Sequence, residues 1–256
     1  MSAVSRPVLL LAILALGAYA QILQAILVRE SLVVFDGNEI SLGVFYACWL
    51  LWAGVGAWLA RRPAGSGAMS DPRLLGRCLI ALPPLLLLQV LALRSVRRVL
   101  DVSASELVPL DDASLVLLLV TAPSGLVLGL ALPLAGRLPG GAAARLYAAD
   151  ALGALAGGAL FSLVLVRWCG VVQSMGVLLA LVGLMLWSLR AAPRRSAPWP
   201  AILVLGGGLL VLSPGVSDLE SALERIRFAS LQPGLTLVAA TNSRYGHVAV
   251  ARLGDQ

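Results

Sequence analysis

The sequence predicts an all-α polytopic membrane helix bundle of about seven transmembrane helices, followed by a short β-hairpin that opens a soluble domain. Three observations carry this reading. Of 256 residues, 59% are hydrophobic and only 12% charged, about half the roughly 25% charged share of an average soluble domain. The mean hydropathy is +0.93. The apolar residues gather into runs approaching the roughly 20 residues a helix needs to cross a bilayer.

Seven such runs follow one another: Val8–Val28, Ile40–Ala60, Leu74–Leu93, Ala113–Gly136, Leu146–Val166, Gly170–Leu189 and the short Trp199–Ser213. The first has a rival reading. Arg6, an apolar stretch and Ala18-Tyr19-Ala20 have the order of a signal peptide with a small-x-small cleavage site, but the run continues to Val28, which favours an uncleaved helix. Pro83-Pro84 in the third run, and Pro123 and Pro133 in the fourth, are expected to kink their helices, because proline lacks a backbone donor and clashes with the preceding turn. Gly125 and Gly129 in the fourth run, and Gly153 and Gly157 in the fifth, are four residues apart. Each pair forms a small-residue stripe that lets a neighbouring helix approach closely.

The tail reads differently. Ser217 is a candidate N-cap with Glu220 at the capping-box position, and Leu219, Leu223 and Ile226 form one apolar helix face. Gln232-Pro233-Gly234 is a turn signal. Leu235–Ala239 and Tyr245–Leu253 read as strands around a turn at Asn242-Ser243, with Val248 and Val250 on one face and Tyr245, His247 and Ala249 on the other. Two strands do not make an independently stable sheet, so the hairpin requires a partner.

All 19 basic residues are Arg, against 13 acids, a bias expected of a GC-rich bacterial genome. Without Lys, neither a Schiff base nor a P-loop lysine is available. Ten arginines (Arg6, Arg61, Arg62, Arg73, Arg77, Arg137, Arg145, Arg190, Arg194, Arg195) flank one side of seven spans and five (Arg29, Arg94, Arg97, Arg98, Arg167) the other. The positive-inside rule then puts the N-terminus in the cytoplasm and the tail outside. No basic patch with interleaved aromatics points to nucleic acid. Cys48, Cys78 and Cys169 show no metal spacing, and His247 has no second ligand-type cluster beside it, so no metal site is expected.

Polar residues within the oily part are the candidate functional cluster. Gln21 and Gln24 share a helix face three residues apart, Arg29 and Glu30 end the first span, and Asn38 and Glu39 open the second after a turn at Asp36-Gly37. One reading is interfacial anchoring. The other is a buried pair of Arg29 with Glu30 or Glu39, because ionisable groups at membrane depth mark a pathway or a structural ion pair. Glu39, directly before the apolar run, is the expected buried member. Asp150, with Tyr147 nearby, is read as a lone acid near a helix start, where it complements the dipole or relays a proton.

The stretches "LVRESLVVFDGNEISLGVFYACWLLWAGVGAWLA", "PSGLVLGLALPLAGRL" and "RLYAADALGALAGGALFSLVLV" resemble the N-terminal membrane region of multi-pass spermidine synthase-like proteins, and "NSRYGHVAVARLGDQ" is similar to that family's first soluble hairpin. In the family a helical bundle precedes a polyamine aminopropyltransferase-type domain. The resemblance implies a bundle over residues 1–213. Residues 214–256 then form a juxtamembrane amphipathic helix and the start of a truncated spermidine synthase-like domain. Tyr245 matches the family's Tyr, whereas Gly246 stands where true aminopropyltransferases often carry Gln, which weighs against spermidine synthesis itself. The family's glycine-rich loop and catalytic Asp have no counterpart in these residues. No catalytic or cofactor-binding residue is therefore expected in this chain, and decarboxylated S-adenosylmethionine enters only with a catalytic domain that follows.

The expected function is thus a membrane-embedded domain that anchors or serves an aminopropyltransferase domain. The alternative is a transporter-like or structural subunit of a larger complex, suggested by kinked helices, glycine stripes and intramembrane polar groups. Expected partners are the lipid bilayer and a soluble transferase-like domain or partner subunit, in the inner (plasma) membrane. A tail outside the cytoplasm stands apart from a donor made within it.

Overall fold

The computed structural model describes residues 6–61, 72–102, 106–138, 142–190, 199–213, 216–232, 236–242 and 247–252. Helix α1 (Arg6–Val34) runs through the middle of the bundle, and α2 (Glu39–Arg61), α3 (Pro72–Val99) and α4 (Leu110–Gly136) follow. Helix α5 (Ala143–Leu160) continues through a π-helical turn, Phe161–Leu165, into the short α6 (Val166–Trp168). Then come α7 (Val171–Arg190), α8 (Trp199–Leu212), α9 (Val216–Leu231) and the strands β1 (Thr236–Asn242) and β2 (His247–Arg252). Among the described residues, six helices are long and apolar enough to cross a membrane, and a seventh crossing results if α8 and α9, bent by 78°, count as one broken span.

Helix α1 is central because its apolar residues recur around the whole helix: Leu9, Ile13, Tyr19, Ile22, Leu23 and Leu27 are all at most 1% exposed. It packs on α5, α7 and α3, while α2 pairs with α4. The helix continues without a break through Ala18-Tyr19-Ala20, so the residues of the signal-peptide reading supply core contacts.

The glycine stripes lie at the two closest crossings. A Cβ on Gly153 would stand 2.0 Å from the Leu14 carbonyl oxygen, and one on Gly157 2.5 Å from that of Ala18. A Cβ on Gly129 would stand 2.2 Å from the Ala53 oxygen, and one on Gly125 2.9 Å from Trp52 Cβ. Backbone thus meets backbone at α1–α5 and α2–α4, and lost dispersion contacts rather than hydrophobicity would be the cost of separating them in lipid.

Pro83, Pro84, Pro123 and Pro133 all sit inside helices. Around Pro123, side chains of two neighbours reach the α4 backbone. Trp52 Nε1 donates to the Leu118 carbonyl (2.8 Å), and Gln89 Nε2 to that of Val120 (2.5 Å). Gln89 also exchanges hydrogen bonds with Ser124. Neighbouring helices therefore satisfy acceptors beside a proline, as a low-dielectric surrounding demands.

Helix α8 runs antiparallel to α7, with Gly183 against Pro200 and Val204, and Gly176 against Gly207 and Val211. At 14 residues it is about 21 Å long, yet it ends level with the start of α7. The tail therefore emerges at the bundle end formed by the C-termini of α1 and α3, opposite Arg6.

The tail departs from its sequence reading in three respects. Helix α9 begins at Val216, so Ser217 lies in its first turn, and Glu220 turns away towards α7. Its apolar face is inverted: Leu219 and Ile226 are exposed, while Val216, Arg227, Phe228 and Ser230 are buried. The charged stripe faces inward because charges on α1 and α3 wait for it there. Finally, Asn242, read as a turn residue, belongs to β1 and pairs with His247, while Ser243 lies outside the described residues. Tyr245 and Gly246 also lie outside the described residues. The antiparallel hairpin leaves Val238, Val248 and Val250 exposed.

Candidate functional site

At the end of the bundle where the tail emerges, α1 and α3 terminate alike. Gly37 N donates to the Leu32 carbonyl (2.8 Å) with Asp36 at φ 56°, and Val102 N to that of Arg97 (3.0 Å) with Asp101 at φ 55°. Each is a Schellman-type stop, with an aspartate in the left-handed position that such a stop requires. The last turns of the two helices are thereby fixed side by side, Glu30 on one and Arg94 and Arg97 on the other.

Arg94 presents its planar fork to Glu30, Nε to Oε2 and Nη2 to Oε1, both at 2.9 Å. From α9, Arg227 Nη2 donates to the same carboxylate at 2.5 and 2.6 Å. Glu224 closes the ring, 3.4 Å from Arg94 Nη2 and 3.3 Å from Arg227 Nη1. Glu30, Arg94 and Arg227 are 1–2% exposed. Four alternating charges thus join α1, α3 and α9 out of water. Such a ring offsets its desolvation only through this paired, bidentate geometry.

Two further clamps flank it. Arg97 donates from Nε to the Val34 carbonyl (3.0 Å), and pairs with the Asp36 carboxylate beside the left-handed turn. Glu220 Oε1 accepts the Val172 N–H (2.9 Å) at the start of α7. A Cβ on Gly170 would lie 1.7 Å from that carboxylate, so this position must stay bare for Glu220 to cap α7. Burial pushes the Glu220 carboxyl above the usual range, against the opposing pull of the Val172 and Gln173 N–H groups and of Arg94.

Beside the ring lies a cleft of about 1150 Å³ between α1, α2 and the π-helical turn, with α9 and β2 at its upper end. Gln21, Ala25, Phe161 and Ser162 line its deep end, Leu32, Leu42 and Tyr46 its middle, and Arg29, Asp36, Arg97 and Gln232 its rim. A smaller cleft of about 500 Å³ opens on the other flank of α9, lined by Arg167, Glu220, Glu224 and Arg225.

Comparison of the chain with protein-family models, with curated proteins and with solved structures finds no match in any of the three.

The sequence-predicted residues are divided by this geometry. Glu30 is the buried acid, and its hydrogen-bonded partners on distant helices are Arg94 and Arg227. Glu39 is not: it lies exposed in the first turn of α2, where solvent reaches a carboxylate next to the helix N-terminus. The expected Arg29–Glu39 pair is therefore corrected. Asn38 is the cap of α2, its Oδ1 accepting the Ile40 N–H at 2.9 Å. Arg29 and Gln21 line the cleft, with Gln21 over Gly158, whereas Gln24 is half-buried elsewhere on α1. Asp150 lies beyond the first turn of α5, too deep to complement its dipole. It is half-buried with its backbone carbonyl against Gly17, while Tyr147 is exposed.

Sequence reading missed Arg94, Glu224, Arg227 and Gln89. A signal existed for the first: Arg94 and Arg97 continue the helical spacing of the buried Leu86, Val90 and Leu93. Likewise Glu220, Glu224 and Arg227 follow Val216 at turn spacing. Among the described residues, no three His, Cys, Asp or Glu side chains converge as a metal site would require.

Proposed function

We propose that this chain is the membrane-embedded anchor of a spermidine synthase-like protein, holding an extramembrane β unit rigidly over one face of the bundle. The observation that carries the reading is the ion ring. A helix meant only to float at a membrane surface would bury Leu219 and Ile226, yet α9 buries Arg227 and turns the half-buried Glu224 inward beside it. This arrangement fixes the orientation of α9, and with it the hairpin that follows. The exposed valines of that hairpin suit a further sheet or domain packed upon it.

The arginine balance supports a cytoplasmic N-terminus and a non-cytoplasmic tail. Of the five arginines flanking the spans on the α9 face, Arg94 and Arg97 are buried against Glu30 and Asp36, which strengthens the asymmetry. A donor made in the cytoplasm would have to cross the membrane to reach that face, so the likeness is proposed here for the architecture of the family and not for its chemistry.

The test places a photoreactive amino acid at Val248 in the tagged chain, crosslinks native membranes, and identifies the attached peptide by mass spectrometry. The expected partner is a unit with a glycine-rich strand–turn–helix. Labelling of lipid alone overturns the anchor reading. Assay of the same particle with putrescine and decarboxylated S-adenosylmethionine decides whether that unit is an aminopropyltransferase. Turnover by residues 1–256 alone would overturn the assignment of chemistry elsewhere.

A further inference from the structure

We propose that Asp150 is a proton-binding site within the membrane, a carboxyl that carries its proton at neutral pH because its surroundings offer it no other cation. This inference stands apart from the anchor reading and does not require it.

Depth is the first argument. Asp150 lies two turns into α5, which starts at Ala143, so it stands about 10.5 Å along the helix. The candidate span Ala143–Trp168 has 26 residues, about 39 Å, against a hydrocarbon core of roughly 30 Å. With the span centred, Asp150 lies about 6 Å inside the core. Its neighbours are the second argument. Leu14 meets Gly153 and Ala18 meets Gly157, so α1 and α5 run parallel and in step. Along this crossing α1 has no polar side chain over residues 7–18. Arg6, at its start, is exposed and level with Arg145, about 7.5 Å short of Asp150. Tyr19 lies about 200° round α1 from Gly17, which faces α5. The end of α4 also meets α5, at Gly136 and Leu146, and residues 125–136 contain no polar side chain. Arg137, just beyond, donates to the Ala60 carbonyl of α2. On α5 itself Arg145 and Tyr147 are exposed, and the π-helical turn carries no titratable group.

Among the described residues the Asp150 side chain therefore makes no hydrogen bond or ion pair. It is half-buried and lines neither of the two clefts, so its open part faces the lipid side of the crossing. A carboxylate so placed has neither water nor a cation to offset its charge, and takes up a proton instead. The proton comes from the arginine-rich end, two turns away. Its loss would leave one uncompensated charge at the edge of a crossing where two backbones touch, so proton binding and close packing of α1 on α5 support each other.

The full chain would be reconstituted in phosphatidylcholine vesicles, and its infrared spectrum at neutral pH compared with that of Asp150→Asn. The difference should contain the carbonyl stretch of a protonated carboxyl. A carboxylate stretch in its place overturns the proposal. A second measurement uses the wild type alone. Dicyclohexylcarbodiimide, which partitions into lipid, adds to a protonated carboxyl. The acid proton moves to one nitrogen, the carboxyl oxygen bonds to the central carbon, and rearrangement leaves a stable N-acylurea. Cleavage at arginine releases the peptide 146–167, in which Asp150 is the only acidic residue, so its adduct is assigned by mass. This peptide should be labelled by the lipid-soluble reagent. A water-soluble carbodiimide should label the exposed Glu39 and Asp111 and spare it. Labelling by the water-soluble reagent equal to that of Glu39, or none by the lipid-soluble one, shows an ordinary interfacial carboxylate and overturns the site.

Discussion

Arg94 of α3 donates both arms of its guanidinium fork to Glu30 of α1 at 2.9 Å, in a position where neither side chain is more than 1% exposed. The pair lies at a helix end that α9 covers from the opposite side, so its consequences extend to the tail. Glu30→Gln would leave Arg94 and Arg227 facing each other across a neutral amide, at a cost of roughly 3–5 kcal/mol. Arg227→Gln in that background restores the balance of charge and should recover much of the loss. Glu39→Gln, at an exposed position, should cost only about 0–1 kcal/mol. Unfolding in detergent of the singles and the double measures the coupling, and additive effects would dismiss the ring as an energetic unit.

The α1–α5 crossing makes a second prediction. Gly153→Leu forces a branched side chain where even a Cβ would lie 2.0 Å from the Leu14 oxygen. Both helices must separate, and overpacking of this kind costs about 1–3 kcal/mol. Gly208 of α8 has nothing within 4 Å of its Cβ position, so Gly208→Ala should be neutral or slightly stabilising, since alanine is the better helix former. Equal stability of the two variants would show that close approach is not what Gly153 provides.

These two cases also show how far the sequence could be read. Glycines four apart speak for themselves, because local spacing decides which helix face is flat. The spans were legible for the same reason: bilayer thickness acts on each run of residues separately. Glu30 was recognisable as costly, but its partners lie 64 and 197 residues away, and no local pattern specifies such pairing. Glu39 misled because adjacency to an apolar run resembles burial, whereas Asn38 caps α2 and leaves Glu39 in the solvated first turn. The inverted α9 had the same origin. Leu219 and Ile226 form a respectable apolar face, and only the charges waiting on α1 and α3 reverse the choice.

Topology supplies a third prediction. Helix α8 returns along α7, so the tail and Arg6 lie at opposite ends of the bundle. With the arginine-rich end in the cytoplasm, a reporter fused after Gln256 should be active only outside the cytoplasm, and one fused before Arg6 only within it. Activity of both fusions on one side would remove α8 as a crossing.

Glu220 provides the pH-dependent case. Its carboxylate is half-buried against α7, beside Arg94, Glu224 and Cys169, and its pKa in the folded protein lies above the ordinary carboxylate value. Between those two values the native protein binds more protons here than the unfolded chain does. Stability from this group is therefore fully present below the ordinary value, falls as pH rises through the window, and levels off above the raised pKa. Glu220→Gln keeps an acceptor for the Val172 N–H without burying a charge, so it should remove that slope and gain on wild type as pH rises. Glu220→Ala removes the slope too, but leaves the N–H without its cap, at a cost of about 0.5–2 kcal/mol at every pH. Thermal unfolding of the three proteins across the acidic to neutral range separates these effects. Parallel curves for wild type and the Gln variant would show that Glu220 titrates alike in the folded and unfolded states, and that capping of α7 carries no pH dependence.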